Sequence, residues 1–281
     1  MPSLTPQRLL GLFLVLPALA MVVLFFIVPL SASVIGAFEV EGGFMGGLGL
    51  DNIIKAFDFY AQDMLFTLVI VSLSTLLIAL FSIGIGGYLT LGENPRAIAI
   101  LRWLYRWPMF IPFIVVGQVL RTFLAKNGLM NGTFVAMGLI TPMQATSLLD
   151  WRGIVIAFVW KQTPFVALLV AGAMASIDRG TIEAARNLGA SRLRILFEIV
   201  VPQVATTLLV GMILSFVTMM SVLSVPLMIN AQSPTMLTTD IAFRINAYGD
   251  YGVANALGLV SLLMASGVAL VYLRIAMRER S

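Results

Sequence analysis

Residues 178–202 read Asp178-Arg-Gly-Thr-Ile-Glu183-Ala184-Ala185-Arg-Asn-Leu-Gly189-Ala-Ser191-Arg-Leu-Arg-Ile-Leu-Phe-Glu198-Ile199-Val-Val-Pro202. Long hydrophobic runs flank this polar stretch on both sides. Its charges recur at regular spacing, whereas the flanking runs carry few. We therefore expect a charged hairpin held against one face of a membrane. A chain that concentrates its charge in this way presents that surface to another molecule.

The composition predicts a membrane protein. The 281 residues are 60% hydrophobic and only 11% charged, and the mean hydropathy is +1.01. A soluble domain of this length could not cover its surface with so few charges. The absence of Cys and His removes disulfides, the commonest catalytic base and the commonest metal ligands, so we predict neither a catalytic nor a metal site.

The hydrophobic runs predict an all-α polytopic membrane protein with six transmembrane helices. A hydrocarbon core of about 30 Å needs roughly 20 apolar residues per helix. The runs that meet this length are 9–36, 63–91, 104–123, 153–174, 204–224 and 253–274. The first run is too long for the core of a signal peptide, so we expect a retained anchor. Without an internal repeat, residues 1–281 are predicted to form one transmembrane domain, with 176–203 as a cytoplasmic loop.

The distribution of charge predicts the orientation of the chain. If both termini are cytoplasmic, the inner segments carry eleven basic residues against five acids, and the outer segments five against eight. The inner basic residues are Arg8, Arg96, Arg102, Arg106, Arg179, Arg186, Arg192, Arg194, Arg274, Arg278 and Arg280, and the inner acids are Glu93, Asp178, Glu183, Glu198 and Glu279. This topology explains the net charge of +4, so the charge does not indicate a nucleic-acid partner.

Local signals predict two helices in the polar stretch. Asp178 can cap a first helix that runs through Leu188, and Gly189 can end it in a left-handed turn. Ser191 can cap a second helix, after which Pro202 would open the fifth span. In the first helix, Arg179, Glu183 and Arg186 are spaced to share one face. In the second, the predicted apolar stripe consists of Leu193, Leu196, Phe197 and Val200.

Two interpretations of this hairpin differ in function. Its charges are either merely solvated at the membrane surface, or they dock a partner. The spacing of Glu183-Ala184-Ala185, Gly189, Ile199 and Pro202 resembles the signature loop of the membrane subunits of ABC importers. Val201 stands where that motif has Leu, which leaves the position apolar. The resemblance favours the docking interpretation.

The resemblance implies the six-helix fold of a type I ABC importer permease in a bacterial inner membrane. It also implies a second permease subunit, identical or different, two cytoplasmic ATPase subunits that hold ATP and Mg, an external solute-binding protein, and contact with membrane lipid. Because this chain has no Gly-rich phosphate loop, we expect no enzyme activity and no bound cofactor of its own. The residues implied in ATPase coupling are Glu183, Ala184, Ala185, Arg186, Gly189 and Pro202. Arg186, Arg192 and Arg194 could pair with ATPase acids or with lipid.

The outer segments resemble the polyamine, iron and aminophosphonate group of these permeases. The resemblance rests on 120–131 and on 233–252, and it implies a small polar solute such as a polyamine, an aminophosphonate or an opine-like compound. A sugar-type or iron-type importer is the alternative, and a secondary transporter is the next one. A secondary transporter would not need the hairpin and usually has inverted repeats. An intramembrane enzyme would need a catalytic pair within the spans, which this sequence lacks.

Lys161 is a charged residue near the middle of the fourth predicted span. A buried ammonium must be paired or hydrated, so Lys161 with Gln162 and Arg121 is a candidate lining of the solute pathway. Such a lining would favour an anionic or zwitterionic solute over a polyvalent cation. The alternative is a structural one, in which Lys161 pairs with the second permease or faces an outer vestibule.

Overall fold

The computed structural model describes residues 6–40, 47–230 and 232–278, and thirteen α-helices lie within these ranges. They are α1 Pro6–Val22, α2 Val28–Phe38, α3 Asp51–Leu91, α4 Pro95–Leu104, α5 Phe113–Leu124, α6 Leu129–Ala136, α7 Trp151–Ala175, α8 Arg179–Asn187, α9 Arg192–Ile195, α10 Val201–Ser221, α11 Ser224–Ile229, α12 Leu237–Phe243 and α13 Tyr251–Arg278. Single π-helical turns join α1 to α2, α9 to α10 and α12 to the loop before α13. Glu41, Glu279 and Arg280, which enter the charge count, lie outside the described residues.

In the described residues, five helical segments are long and apolar enough to cross a membrane. They are Leu14–Phe38, Asp51–Leu91, Trp151–Ala175, Arg192–Ser221 and Tyr251–Tyr272. A sixth crossing is formed if the bent pair Pro95–Phe110 and Phe113–Ala136 counts as one span. The helical content and the five or six spans agree with the predicted all-α polytopic fold.

The predicted span 104–123 is sharply bent in the structure. The two parts of this segment meet at an angle of 106°. A 3₁₀ turn, Trp107–Phe110, precedes the break, and Ile111 is extended with φ −91° and ψ 123°. The physical cause is Pro112, which disfavours helical backbone in the residue before it and has no N–H to donate.

The chain divides into two compact units, which are residues 1–61 with 240–262, and residues 62–239 with 263–281. In the first unit, small and polar side chains allow close contacts. Ser33 Oγ donates to Asn255 Oδ1 at 2.9 Å, and Asn52 Nδ2 donates to the Glu39 carbonyl at 2.8 Å. A Cβ at Gly36 would lie 2.5 Å from Asn255 Nδ2. The glycine therefore makes room for the half-buried amide of Asn255.

In the second unit, α7 packs against α10 and α5, and α5 packs against α11. Phe158 and Phe216 are the largest fully buried side chains of this unit, at 0% and 2% exposure. Gly117 allows the closest approach of α5 and α11, since a Cβ there would lie 3.3 Å from the Ser224 carbonyl oxygen. Small residues at such crossings are the usual means of packing helices in a membrane.

Asp150 caps α7. Its Oδ1 accepts from the Arg152 N–H at 2.8 Å, and its Oδ2 pairs with Arg152 Nη2 at 2.8 Å. The hydrogen bonds from the Arg152 side chain hold the pKa of the Asp150 carboxyl below its ordinary value. Because the folded pKa is the lower one, this contact stabilises the fold above the ordinary carboxyl pKa and is lost as the pH falls through the folded value.

Candidate functional site

The first half of the polar hairpin is the capped helix that the sequence predicts. Asp178 accepts hydrogen bonds from the Gly180 and Thr181 N–H groups, both at 3.2 Å, and α8 follows from Arg179 to Asn187. These bonds satisfy N–H groups that have no partner within the helix. The side chains of Arg179, Glu183 and Arg186 line one cavity, which confirms that they share a face of α8.

The turn after α8 is a Schellman motif centred on Gly189. The Ala190 N–H donates to the Ala185 carbonyl at 3.0 Å, and the Gly189 N–H donates to the Arg186 carbonyl at 2.9 Å. Gly189 has φ +82°, in the left-handed region that favours glycine. The predicted left-handed turn is confirmed, and the direction of the chain after α8 is set here.

The second half of the hairpin differs from the prediction. Ser191 caps α9 by accepting from the Arg194 N–H at 3.3 Å, as expected. The helix then continues through the π turn Leu196–Val200 into α10, so that Arg192–Ser221 is one helical segment. Pro202 lies in the first turn of α10 as predicted, but the second helix of the hairpin is not separated from the fifth span. Pro202 is the second residue of α10, where a missing N–H costs little because the π turn has already displaced the hydrogen-bond register.

Buried side chains fix the hairpin to the second unit. Ile182 and Leu196 are 8% exposed and Ile195 is 0% exposed. Leu196 fills the space beside Gly87 of α3, where an added Cβ would lie 2.8 Å from Leu196 Cδ1. The hairpin is thus packed onto the end of α3.

Two arginines add polar attachments at the same end of α3. Arg186 Nη2 donates to the Leu91 carbonyl at 3.2 Å, which satisfies an oxygen at the C-terminus of that helix. Arg192 forms an ion pair with Glu93 in the loop that follows. These contacts join α8 and α9 to the connection between α3 and α4. Sequence reasoning missed them, because their partners lie roughly one hundred residues away in the chain.

The hairpin also has a solvent-exposed surface, which includes Glu183 of the cavity-lining face of α8. Glu183, Ala184 and Gly189 are solvent-accessible, and Ala185 is half-buried. Leu188 is 90% exposed and lies beside them at the end of α8. Exposed apolar side chains this close to charged ones mark a surface that contacts another molecule. We call Glu183, Ala184, Leu188 and Gly189 the exposed face of the hairpin.

Part of the predicted apolar stripe also lies on the outside. Leu196 and Val200 are buried, whereas Leu193 and Phe197 are 68% and 55% exposed. Between them on the surface, Arg194 Nε pairs with Glu198 Oε2 at 2.9 Å. Two residues of the predicted stripe therefore pack in the core, and two lie on the surface.

The second candidate group contains Lys161, on α7. Its Nζ donates to the carbonyl oxygens of Pro108 at 3.0 Å and Met109 at 2.8 Å, and lies 5.5 Å from the centre of the Phe113 ring. These carbonyls belong to the 3₁₀ turn before the break at Pro112, where the helical hydrogen bonds are interrupted. Lys161 thus supplies a donor to the Met109 carbonyl and a second donor to the Pro108 carbonyl, which also accepts from the Ile111 N–H at 3.3 Å.

The other two candidates in this group lie apart from that contact. Gln162 is buried at 7% exposure, and Arg121 is exposed in the last turn of α5. Among the described residues, no hydrogen bond or ion pair joins Arg121 to Lys161 or Gln162. Their proposed common role in a pathway remains a prediction.

Comparisons with known proteins show the family to which the chain belongs. A family model described as the inner membrane component of binding-protein-dependent transport systems matches residues 82–278, which include the hairpin. The trehalose/maltose transport system permease protein MalF of Thermococcus litoralis is 28% identical over 95% of this chain and 93% of its own length. The putative 2-aminoethylphosphonate transport system permease protein PhnU of Salmonella typhimurium is 27% identical over 93% of this chain and 90% of its own length.

A solved structure has the same fold. A chain of a bacterial ABC transporter involved in the import of the acidic polysaccharide alginate superposes with a TM-score of 0.76, covering 97% of this chain and 96% of that one. At 20% sequence identity this likeness concerns the fold alone. The chain is thus a multi-pass membrane protein with the fold of an ABC importer permease, and it belongs to the family of binding-protein-dependent transport system inner membrane components.

Proposed function

We propose that this chain forms half of the translocation pathway of an ATP-driven importer, with a second permease subunit, two cytoplasmic ATPase subunits and an external binding protein. The observation that carries the proposal is the hairpin, which is attached to α3 through Leu196 and Arg186 and leaves Glu183, Ala184 and Leu188 exposed. Such a surface can receive a partner and pass its movement to the spans. The proposal places both termini and the hairpin in the cytoplasm, in agreement with the excess of arginine there.

The attachments of the hairpin suggest how it would transmit force. The segment Arg192–Ser221 is helical throughout, so a displacement of its first turn would move α10 as a lever about 45 Å long. Arg186 and Arg192 would pull on the end of α3 at the same time, through Leu91 and Glu93. Closure of the ATPase dimer would thereby reach two spans of this chain. The ATP chemistry belongs to the ATPase, and this chain would contribute the rigid connection.

Glu183→Lys is expected to lower the amount of ATPase that co-purifies with the permease by about tenfold, since reversal of one charge in a protein interface costs on the order of 1–2 kcal/mol. The measurement is co-purification of the tagged chain with its co-expressed ATPase. Arg152→Gln, at the outer end of α7, is the control and should retain the ATPase. Equal recovery of the ATPase with Glu183→Lys and the control would remove Glu183 from the interface.

The solute is proposed to be a carbohydrate, and an aminophosphonate is the second candidate. The support is the likeness to relatives named for trehalose/maltose and for 2-aminoethylphosphonate, each spanning more than nine-tenths of this chain. Neither relative is named for a polyamine, so we do not propose a polyamine as the solute.

Uptake into vesicles decides between the two solute classes. The complete importer, with its cognate binding protein and internal ATP, would be given labelled trehalose or labelled 2-aminoethylphosphonate. We expect trehalose uptake to exceed phosphonate uptake by about tenfold or more, since selective sites commonly separate such solutes by over 1.4 kcal/mol. The reverse ratio would establish the phosphonate, and uptake of neither would refute both classes while leaving the coupling role of the hairpin to the ATPase experiment.

A further inference from the structure

A cavity of about 620 Å³ lies between α4, α7 and α8 and is strongly basic. Four arginines line it, namely Arg102, Arg106, Arg179 and Arg186, against the single carboxylate of Glu183. Among the described residues, no carboxylate oxygen lies within 4 Å of a nitrogen of these four side chains. An excess of positive charge around a cavity favours the binding of an anion inside it.

Two of these guanidinium groups are held in place. Arg106 Nε donates to the Tyr105 hydroxyl at 3.3 Å, and Arg186 Nη2 donates to the Leu91 carbonyl at 3.2 Å. Each group retains further N–H donors for a ligand. Planar guanidinium groups in fixed positions suit the paired oxygens of a phosphate.

A second cavity, of about 500 Å³, begins at the same Tyr105 and is apolar. It follows α3 from Leu77 to Ile85 and α7 from Val155 to Pro164. At a rise of 1.5 Å per residue these stretches are about 12–14 Å long. This length is close to the span of one lipid chain, since each leaflet supplies about half of a hydrocarbon core of about 30 Å. The groove therefore has the length and the lining of a site for one lipid chain.

We propose that these two cavities together bind one anionic phospholipid from the leaflet on the hairpin side. The phosphate would occupy the arginine-lined cavity, and one acyl chain would lie in the apolar groove beyond Tyr105. A free anion would use only the first cavity, and a lipid without net negative charge would leave more of the arginine charge uncompensated. The shared wall at Tyr105 favours a molecule that has both a phosphate and an apolar chain.

This site would connect lipid composition to the hairpin. Arg179, Glu183 and Arg186 belong to α8, whereas Arg102 and Tyr105 belong to Pro95–Phe110, the first half of the bent pair. A phosphate between them would hold α8 against α4. An anionic lipid is therefore expected to influence the position of the same helix that presents Glu183 at the exposed face of the hairpin.

The test is native mass spectrometry of the full-length chain, purified with its co-expressed subunits from membranes that contain phosphatidylglycerol. Wild type is expected to retain phosphatidylglycerol. In the double variant Arg102→Gln, Arg106→Gln, the amount of bound phosphatidylglycerol should fall at least about fivefold. The reason is that each removed phosphate contact is a charge-assisted hydrogen bond. Ile156→Trp, which fills the groove from an exposed position, should cause a similar loss with all four arginines present.

Arg194→Gln is the matched control, because Arg194 lies on the same hairpin, is exposed, and does not line the cavity. It should retain wild-type lipid. Unchanged phosphatidylglycerol in both the double variant and Ile156→Trp would overturn the proposal. Displacement of the bound lipid by millimolar inorganic phosphate, or equal retention of phosphatidylcholine, would also overturn it, because the site would then select a small anion or any lipid.

Discussion

Gly189→Asp is expected to reduce solute uptake by about twentyfold or more while the amount of chain in the membrane stays the same. The backbone at Gly189 has φ +82°, and a residue with a Cβ in that region loses about 1–2 kcal/mol. A carboxylate would also lie at the C-terminal end of α8, where the helix dipole disfavours negative charge. Both effects act against the Schellman turn that sets the direction of the hairpin.

The chain contains a matched control for this change. Gly138 has φ +71° and forms the same motif at the end of α6, where the Leu139 N–H donates to the Phe134 carbonyl and the Gly138 N–H donates to the Val135 carbonyl. A Cβ at either glycine meets no atom within 4 Å. Gly138→Asp therefore introduces the same strain and the same charge at a helix end, but away from the hairpin.

We expect Gly138→Asp to retain at least about half of wild-type uptake, since surface changes outside special sites usually cost little. Membrane insertion of both variants would be compared by immunoblot, and uptake by vesicle transport with the binding protein present. If the two variants lose uptake equally, the strain alone accounts for the effect and the hairpin has no special role in transport. If only Gly189→Asp loses uptake, the position of the hairpin matters for transport.

The parts of the hairpin that could be predicted from the sequence depend on local chemistry. Asp178, Gly189 and Ser191 act within three or four residues of their own positions, through a cap, a left-handed turn and a second cap. Such signals are legible without knowledge of the fold. The six hydrophobic runs are equally local, since their length alone decides whether they can cross a membrane.

The parts that could not be predicted depend on contacts between distant segments. Arg186 donates to the Leu91 carbonyl, 95 residues earlier in the chain, and no local signal marks that contact. The exposure of Leu188 follows from how α8 lies on its neighbours, which periodicity does not reveal. The break at Pro112 had a sequence signal in the proline, but a proline in a span is compatible with either a kink or a full break.

The continuity of Arg192–Ser221 was missed for a related reason. Pro202 usually marks the first turn of a helix, so it favoured a new start at that position. The preceding π turn, Leu196–Val200, changes which carbonyls are left without an N–H donor. Sequence periodicity cannot detect a single extra residue in a turn. As a result, the lever that joins the hairpin to α10 appears only in the structure.

Lys161→Met is expected to destabilise the protein more than it changes solute selection. Without the ammonium, the Met109 carbonyl loses this donor, whereas the Pro108 carbonyl still accepts from the Ile111 N–H at 3.3 Å. An unsatisfied buried carbonyl costs about 1–3 kcal/mol, and because Lys161 and Met109 are half-buried we take the lower end, about 1 kcal/mol, which corresponds to a fall in Tm of about 2–4 °C. Thermal unfolding of the purified importer measures this.

Two controls separate the structural role from a role in the pathway. Lys126→Met removes an exposed lysine and should leave Tm unchanged. Lys161→Arg keeps donors at the break and should lower Tm by less than half as much as Lys161→Met does. A lysine that lines the pathway would give the opposite pattern, because its removal would change the ratio of trehalose to aminophosphonate uptake and leave Tm as in wild type. The two carbonyl contacts favour the first pattern, since an ammonium already engaged by the 3₁₀ turn has fewer donors to offer a passing solute.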